Sequence, residues 1–262
     1  MTRKRVATAA VLIPVVVAIV LFASTTVVAI VTAAVTILAL WEYFALGDSI
    51  GHRAYRFWTT FCSCSLIFLQ WRILKPFLFL SVSSPSPVLD SANNPAIHRI
   101  TAIYSPLSLF FLFVLGLASL TLWTRRPLVE ALPAAGISSS ALLLVSFPLS
   151  FAVRLHGMQI EGPRLLLFAL VITWAADTTA YFVGRAIGRH PLAPHISPKK
   201  TWEGSIGGMF GSLLVAYAFS YWIHIPLIHL LIMAVLGNTA GQMGDLLESA
   251  YKRSAGVKDS GG

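Results

Sequence analysis

The sequence predicts an all-α protein, a polytopic bundle of transmembrane helices. Three observations carry that prediction. Hydrophobic residues make up 56% of the 262-residue chain and charged ones only 11%, against about 25% charge in a soluble globular domain. The apolar residues gather in runs long enough to cross a bilayer as helices, which takes roughly 20 residues each. The alternating ~10-residue segments that build an outer-membrane barrel are not visible.

Eight spans account for the runs. The first covers about Val6–Ala23 and turns at Ser24-Thr25-Thr26 into the second, about Val27–Leu46. Arg3, Lys4 and Arg5 ahead of an apolar run resemble a signal peptide, but the run continues to about Leu46, beyond the 7–15 residues of a signal core. A polar loop, Gly47 to Arg56, precedes a third span at about Phe57–Leu80, with a break expected near Lys75-Pro76. The Ser/Pro/Asn-rich stretch Ser81–Tyr104 reads as an exposed loop. The fourth span, about Ser105–Trp123, ends at Arg125-Arg126-Pro127. The fifth is about Ala131–Val153 and the sixth about Leu165–Val183. A long polar loop, Gly184–Glu203, leads to the seventh at about Ser205–Ile223. The eighth is about Pro226–Met243, and the charged residues that follow it lie at the membrane surface. Residues 1–262 form a single membrane domain in this reading, with 1–160 as a helical scaffold and 165–262 as the part that carries chemistry.

Charge orients the bundle. With the N-terminus in the cytoplasm, Arg72, Lys75, Arg99, Arg154 and Arg164 fall outside or at a boundary, and the other fourteen of the nineteen lysines and arginines fall inside. That asymmetry follows the positive-inside bias. It also explains the net charge of +9 without nucleic acid, because the bases sit in short loops between apolar runs. Cys62 and Cys64, inside an apolar run, read as small buried residues. No internal repeat is evident.

The polar exceptions are the candidates for chemistry. Gly244 to Arg253, followed by Lys258 and Asp259, packs acids and bases directly behind an apolar run. Asp245 and Asp259 suit a hard cation such as Mg²⁺, which takes one or two carboxylates plus waters and substrate phosphates. Lys252, Arg253 and Lys258 suit the phosphates. Asp177 is an acid within the sixth span, where a charge is costly unless it faces a cavity or a partner. A pair with Arg185, eight residues on, is too long to be direct. Ser197, Lys199, Lys200 and Thr201 offer hydroxyls and ammonium groups ahead of a helix start, whose free backbone N–H groups also suit phosphate. Gly204, Gly207, Gly208 and Gly211 repeat at small-xxx-small spacing and predict a close-packing face for another helix. His190 and His195 read as loop residues.

These pieces together resemble the phosphatidate cytidylyltransferase (CDP-diacylglycerol synthase) family. The match runs through Asp177…Ala180-Tyr181-Phe182-Val183-Gly184-Arg185, then Ser197-Pro198-Lys199-Lys200-Thr201-Trp202-Glu203-Gly204, then Gly244-Asp245-Leu246-Leu247-Glu248-Ser249 and Lys252-Arg253…Lys258-Asp259. It covers roughly Trp174 to the end. The resemblance implies transfer of a cytidylyl group from CTP to phosphatidic acid with Mg²⁺, a potassium-like second cation sharing the site. It implies Asp245 and Asp259 as metal ligands. Ser197, Lys199, Lys200, Thr201, Lys252, Arg253 and Lys258 would bind phosphates, and Asp177 would line the cavity. The family's pattern continues past the Lys-Asp element with a proline, a His-Gly-Gly turn and a further acidic span. From their absence the chain is expected to be truncated, without a ninth span, and weakly active or inactive.

The expected partners are CTP, phosphatidic acid and membrane lipids, in a bacterial inner membrane with the site facing the cytoplasm. The oligomeric state is left open, a homodimer included. The rival readings are a CTP-dependent transferase for another lipid, a prenol or an ether lipid, and a transporter with Asp177 as its coupling site. Transporters often show paired halves with broken helices at midplane; here the polar residues concentrate at one face.

Overall fold

The computed structural model of the chain describes residues 2–83, 105–124 and 127–257. Among these the fold is helical, as the sequence predicts, with one small hairpin added. The helices are α1 (Thr2–Phe22), α2 (Thr25–Ser49), α3 (Arg56–Ser83), α4 (Pro106–Trp123), α5 (Ala131–Ala141), α6 (Phe147–His156), α7 (Gly162–Ile187), α8 (Trp202–Phe219) and α9 (Leu227–Ser254). A π turn, Leu142–Ser146, joins α5 to α6, so the two act as one rod. The strands β1 (Pro191–Ala193) and β2 (Ser197–Thr201) pair antiparallel between α7 and α8.

Helical rods stand at each of the eight expected places. Five of them are long and apolar enough to cross a membrane: α2, α4, the α5–α6 rod, α7 and α9. The count of eight spans is thus not reached on that measure. The segment Ala10–Phe22 of α1 is apolar but short, and α8 opens on the polar, glycine-rich run Trp202 to Gly211.

Three local expectations are corrected. α3 runs unbroken past Lys75-Pro76 to Ser83, so the first residues of the expected Ser81–Tyr104 loop are helical; the rest lies outside the described residues. α7 continues to Ile187, and the supposed loop beyond it folds into the hairpin. α9 continues eleven residues past Met243 to Ser254. The charged stretch beyond the expected span is therefore helical as far as Ser254, and its polar side chains acquire a fixed periodicity of 3.6.

Two compact units are present, one of Ala23–Met158 and one of α1 with the chain from Gln159 on. In the first, sequence signals set the helix starts. Ser24 Oγ accepts from Val27 N at 3.4 Å and caps α2, while Ser105 caps α4 ahead of Pro106. Gly51, at φ 83°, supplies the left-handed residue that ends α2, and His52 N donates back to Gly47 O at 3.0 Å. Apolar side chains such as Leu40, Phe44, Cys62, Phe113, Leu117 and Leu142 fill the core. Hydroxyls are used as interhelical glue: Ser63 Oγ meets Ser146 Oγ of the π turn at 2.7 Å, and Tyr43 donates to Ser140 at 2.8 Å.

In the second unit, α7 and α8 approach through glycine, as the small-xxx-small spacing predicts, and the partner helix is α7. A Cβ on Gly207 would stand 2.7 Å from Val183 Cβ, and one on Gly211 would stand 2.3 Å from Thr179 Oγ1. On Gly204 and Gly208 it would meet the backbone, at 2.9 Å from Ala180 O and 3.1 Å from Ala176 O. Backbone cannot give way as a side-chain tip can. The seam therefore requires hydrogen at these four α-carbons. In lipid there is little hydrophobic force between helices, so dispersion across such a tight seam is a main source of attraction.

Gly207→Leu should lower the thermal midpoint of the detergent-solubilised protein, since overpacking of this kind costs about 1–3 kcal/mol or more. Gly136→Ala in α5 is the control: its Cβ meets nothing within 4 Å, and alanine for glycine in a helix gains up to ~1 kcal/mol. Equal midpoints for the two variants would show that the seam is not close-packed.

Candidate active site

The glycine seam sets two polar strips side by side. On α7, Thr173, Asp177 and Tyr181 recur every four residues and share one face. On α9, Asn238, Gln242 and Asp245 follow at intervals of four and three, with Glu248 three further on. β2 and the first turn of α8 supply Lys199, Lys200, Thr201 and Ser205. All of these line one cavity of about 890 Å³. The glycines Gly184, Gly204, Gly237 and Gly241 line it too.

Opposite charges meet in this cavity. Lys200 Nζ is ion-paired with Asp245 Oδ2, joining β2 to α9. Asp177 lies within electrostatic reach of both. Lys252 pairs with Glu248 one turn below it, at 2.6 Å. Arg185 does not reach Asp177; its Nη1 donates to Tyr181 Oη at 2.9 Å. Of the candidates read from sequence, Asp177, Lys199, Lys200, Thr201 and Asp245 come together. Ser197, Lys252 and Arg253 are not in the cavity wall. Lys258 and Asp259 lie outside the described residues, so only Asp245 of the expected metal pair is placed. Among the described residues no three acids, histidines or cysteines cluster as a metal site.

One expectation is overturned. The backbone N–H groups at the start of α8 are not free for phosphate. Trp202 N donates to His190 O at 2.9 Å, and Gly204 N donates to Thr201 Oγ1 at 3.1 Å, so Thr201 is the N-cap. The Glu203 carboxylate accepts from its own N–H and from the N–H groups of Arg189 and His190. Any phosphate in the cavity is left to side chains, the ammonium groups of Lys199 and Lys200 and the Arg185 guanidinium among them. Strand β2 ends at this cap, which fixes the backbone that carries Lys200.

His190, read from sequence as a loop residue, clamps this corner: its Nδ1 lies 2.6 Å from Glu203 Oε1. That hydrogen bond, with the backbone donors, holds the Glu203 carboxyl down to about 2. At the other end of α7, buried Glu161 accepts from His224 Nδ1 at 2.8 Å, His224 N at 3.2 Å and Arg164 Nη1 at 3.1 Å. The hydrogen bond from His224 lowers its pKa below the usual carboxylate range. The two clamps tie the connections at both ends of the α7–α8 pair.

Sequence reasoning missed Tyr181, Ser205, Asn238 and Gln242. A signal for the last two exists: they stand seven and three residues before Asp245, on its face of a helix otherwise apolar. It is legible only once α9 is known to continue through Asp245.

A model of the cytidylyltransferase family matches residues 3–262 of the chain. A phosphatidate cytidylyltransferase of Haemophilus influenzae is 30% identical over 274 aligned residues, covering 99% of this chain and 89% of that protein. Phosphatidate cytidylyltransferases of Staphylococcus saprophyticus and Staphylococcus epidermidis are 45% and 47% identical over 109 and 103 residues. Those shorter matches cover 41% and 38% of this chain, and 42% and 40% of the staphylococcal proteins.

The Glu203 clamp predicts a pH signature. A carboxyl whose folded pKa is about 2 against an ordinary 4.5 stabilises fully above 4.5, and that contribution is lost as pH falls toward 2. The thermal midpoint of the unsubstituted protein should exceed that of Glu203→Gln by a constant margin from pH 5 to 7. The margin should shrink below about pH 4.5. A margin that stays level down to pH 3 would remove the clamp's charge from the account.

Proposed function

The chain belongs to the cytidylyltransferase family, and from that membership we propose that it transfers the cytidylyl group of CTP to phosphatidic acid, releasing pyrophosphate and forming CDP-diacylglycerol. The observation that carries the reading is the cavity in which Asp177 and Asp245 share a wall with Lys199 and Lys200. Both substrates are anions, and their reaction needs neutralisation and alignment more than covalent help.

A phosphate oxygen of phosphatidic acid attacks the α-phosphorus of CTP. The new P–O bond forms as the bond from the α-phosphorus to the bridging oxygen breaks, and pyrophosphate leaves with that electron pair. No redox partner and no enzyme nucleophile are required. Lys199 and Lys200 bind phosphate oxygens and offset the charge repulsion between the two anions. To do so Lys200 exchanges its partner Asp245 for substrate. Tyr181, Thr173 and Ser205 supply neutral hydrogen-bonding groups on the same wall.

The donor set fits Mg²⁺. It offers hard oxygens from one or two carboxylates with room for waters and substrate phosphates, and among the described residues neither histidine nor cysteine lines it. Asp245 would hold the ion, with Asp177 in the same wall, and the ion when bound would neutralise charge on the phosphates. Asp259 would join it from outside the described residues.

The chain is an integral membrane protein by its apolar helices and its relatives. The excess of lysine and arginine on one side supports a cytoplasm-facing site in a bacterial inner membrane. A site at that face is where CTP is found. The lipid would enter from the bilayer, its head group reaching the cavity and its tails staying among the helices.

The test is Mg²⁺-dependent transfer of label from α-labelled CTP into lipid, using the full-length protein with phosphatidic acid in membranes. Asp245→Asn should lower transfer by 10²-fold or more, and Lys200→Ala should lower kcat/KM by about 10²-fold. No labelled lipid from folded, unsubstituted protein would remove this substrate pair, and a prenol or ether-lipid acceptor would be tried next.

A further inference from the structure

We propose that Gln242 is a positioning residue: its side-chain amide pins the first turn of α8 to α9 and so holds Lys200 opposite Asp245. Its predicted effect on rate rests on the cytidylyl-transfer reading, while its effect on geometry does not.

The amide is bonded on every side that the cavity wall offers. Its Oε1 accepts from Ser205 Oγ. Its Nε2 donates to Ser205 O at 3.1 Å and to Asn238 Oδ1 at 3.2 Å. Both N–H donors are spent, so Gln242 has none left for a nucleobase or a phosphate. The bond to Ser205 O matters most, because it holds backbone and not only a rotatable hydroxyl.

The placement gives the bonds their consequence. Ser205 is four residues after the Thr201 cap and five after Lys200. Gln242 is three residues before Asp245, on the same face of α9. One amide therefore joins the two elements that carry the opposed charges of the cavity. Asn238, buried a turn further back, holds the amide in its rotamer and donates on to Met209 Sδ at 3.5 Å. The Lys200–Asp245 pair alone would not set this register. Lys200 is a long, flexible side chain, and Asp245 is 56% exposed, so the pair is weakened by solvent. Two short-range bonds across the helices, to the Ser205 backbone and to its hydroxyl, fix the spacing more tightly.

The experiment reads register and rate separately. Lys200 and Lys199 are labelled with an amine-acylating reagent in the full-length protein in detergent, and the rates are read by mass spectrometry. Lys199 is exposed and serves as the internal reference. In the unsubstituted protein Lys200 should label several-fold more slowly than Lys199, because Asp245 holds it. In Gln242→Leu that protection should be lost. In the same variant kcat for cytidylyl transfer should fall by on the order of tenfold to a hundredfold, with KM for CTP changed by less than about threefold. Ser205→Ala, which drops one bond and leaves the fold intact, should show the same change in smaller degree.

Protection of Lys200 that survives in Gln242→Leu overturns the proposal whatever the activity. Lost protection with unchanged kcat overturns it too, since the register would then not matter to the reaction. If the unsubstituted protein turns over no CTP while Gln242→Leu still unmasks Lys200, the cytidylyltransferase reading fails and the pinning by Gln242 stands.

Discussion

The site depends on one constraint, the absence of side chains along the α7–α8 seam. Gly204, Gly207, Gly208 and Gly211 let α8 lie against Ala176, Thr179, Ala180 and Val183 closely enough that any Cβ would collide. Closeness there does two things. It supplies dispersion and backbone contact in a medium where apolar burial between helices is worth little. It also fixes the end of β2 against α7, so that Asp177 and Lys200 face one space. A wider spacing would leave the two apart, with solvent or lipid between them.

Around that seam the polar groups are nearly all spoken for. Thr201 and Glu203 consume the N–H groups that open α8, and His190 locks the carboxylate in place. Gln242 ties α8 to α9 by two hydrogen bonds, and Asn238 holds its amide from within α9. Glu161 secures the far end through His224 and Arg164. What remains at the centre is the Lys200–Asp245 pair, held by solvent-weakened attraction and little else. A rigid frame with a loosely paired centre is suited to anionic substrates, which must displace an internal ion pair without disturbing the walls.

The Ala23–Met158 unit follows different rules. Its core is aliphatic and aromatic, and its buried polar groups are mostly hydroxyls that donate within their own helices or pair across, as Ser63 does with Ser146. Such groups are satisfied locally and ask for no ligand. The contrast between the units is physical: acids and amides line the cavity on α7 and α9, whereas the other core is mostly hydroxyls and apolar side chains, the Gln70 amide, buried and unpaired among the described residues, being an exception.

The sequence by itself determined the membrane class, the places of the rods and the small-residue seam, because each is written in local composition. Long apolar runs, a repeating glycine and the polar exceptions Asp177, Lys200 and Asp245 can be read without knowing what lies across from them. It could not determine that α9 continues through Ser254, since helix and charged loop share that composition and packing decides between them. Nor could it show that the helix-start amides of α8 are already capped, because His190 meets Glu203 only through a hairpin turn. The partners of Lys200 and Gln242 belong to the tertiary structure for the same reason. They lie 45 and 37 residues away in sequence, and an electrostatic or hydrogen-bonding contact exists only where the chain has brought both ends together.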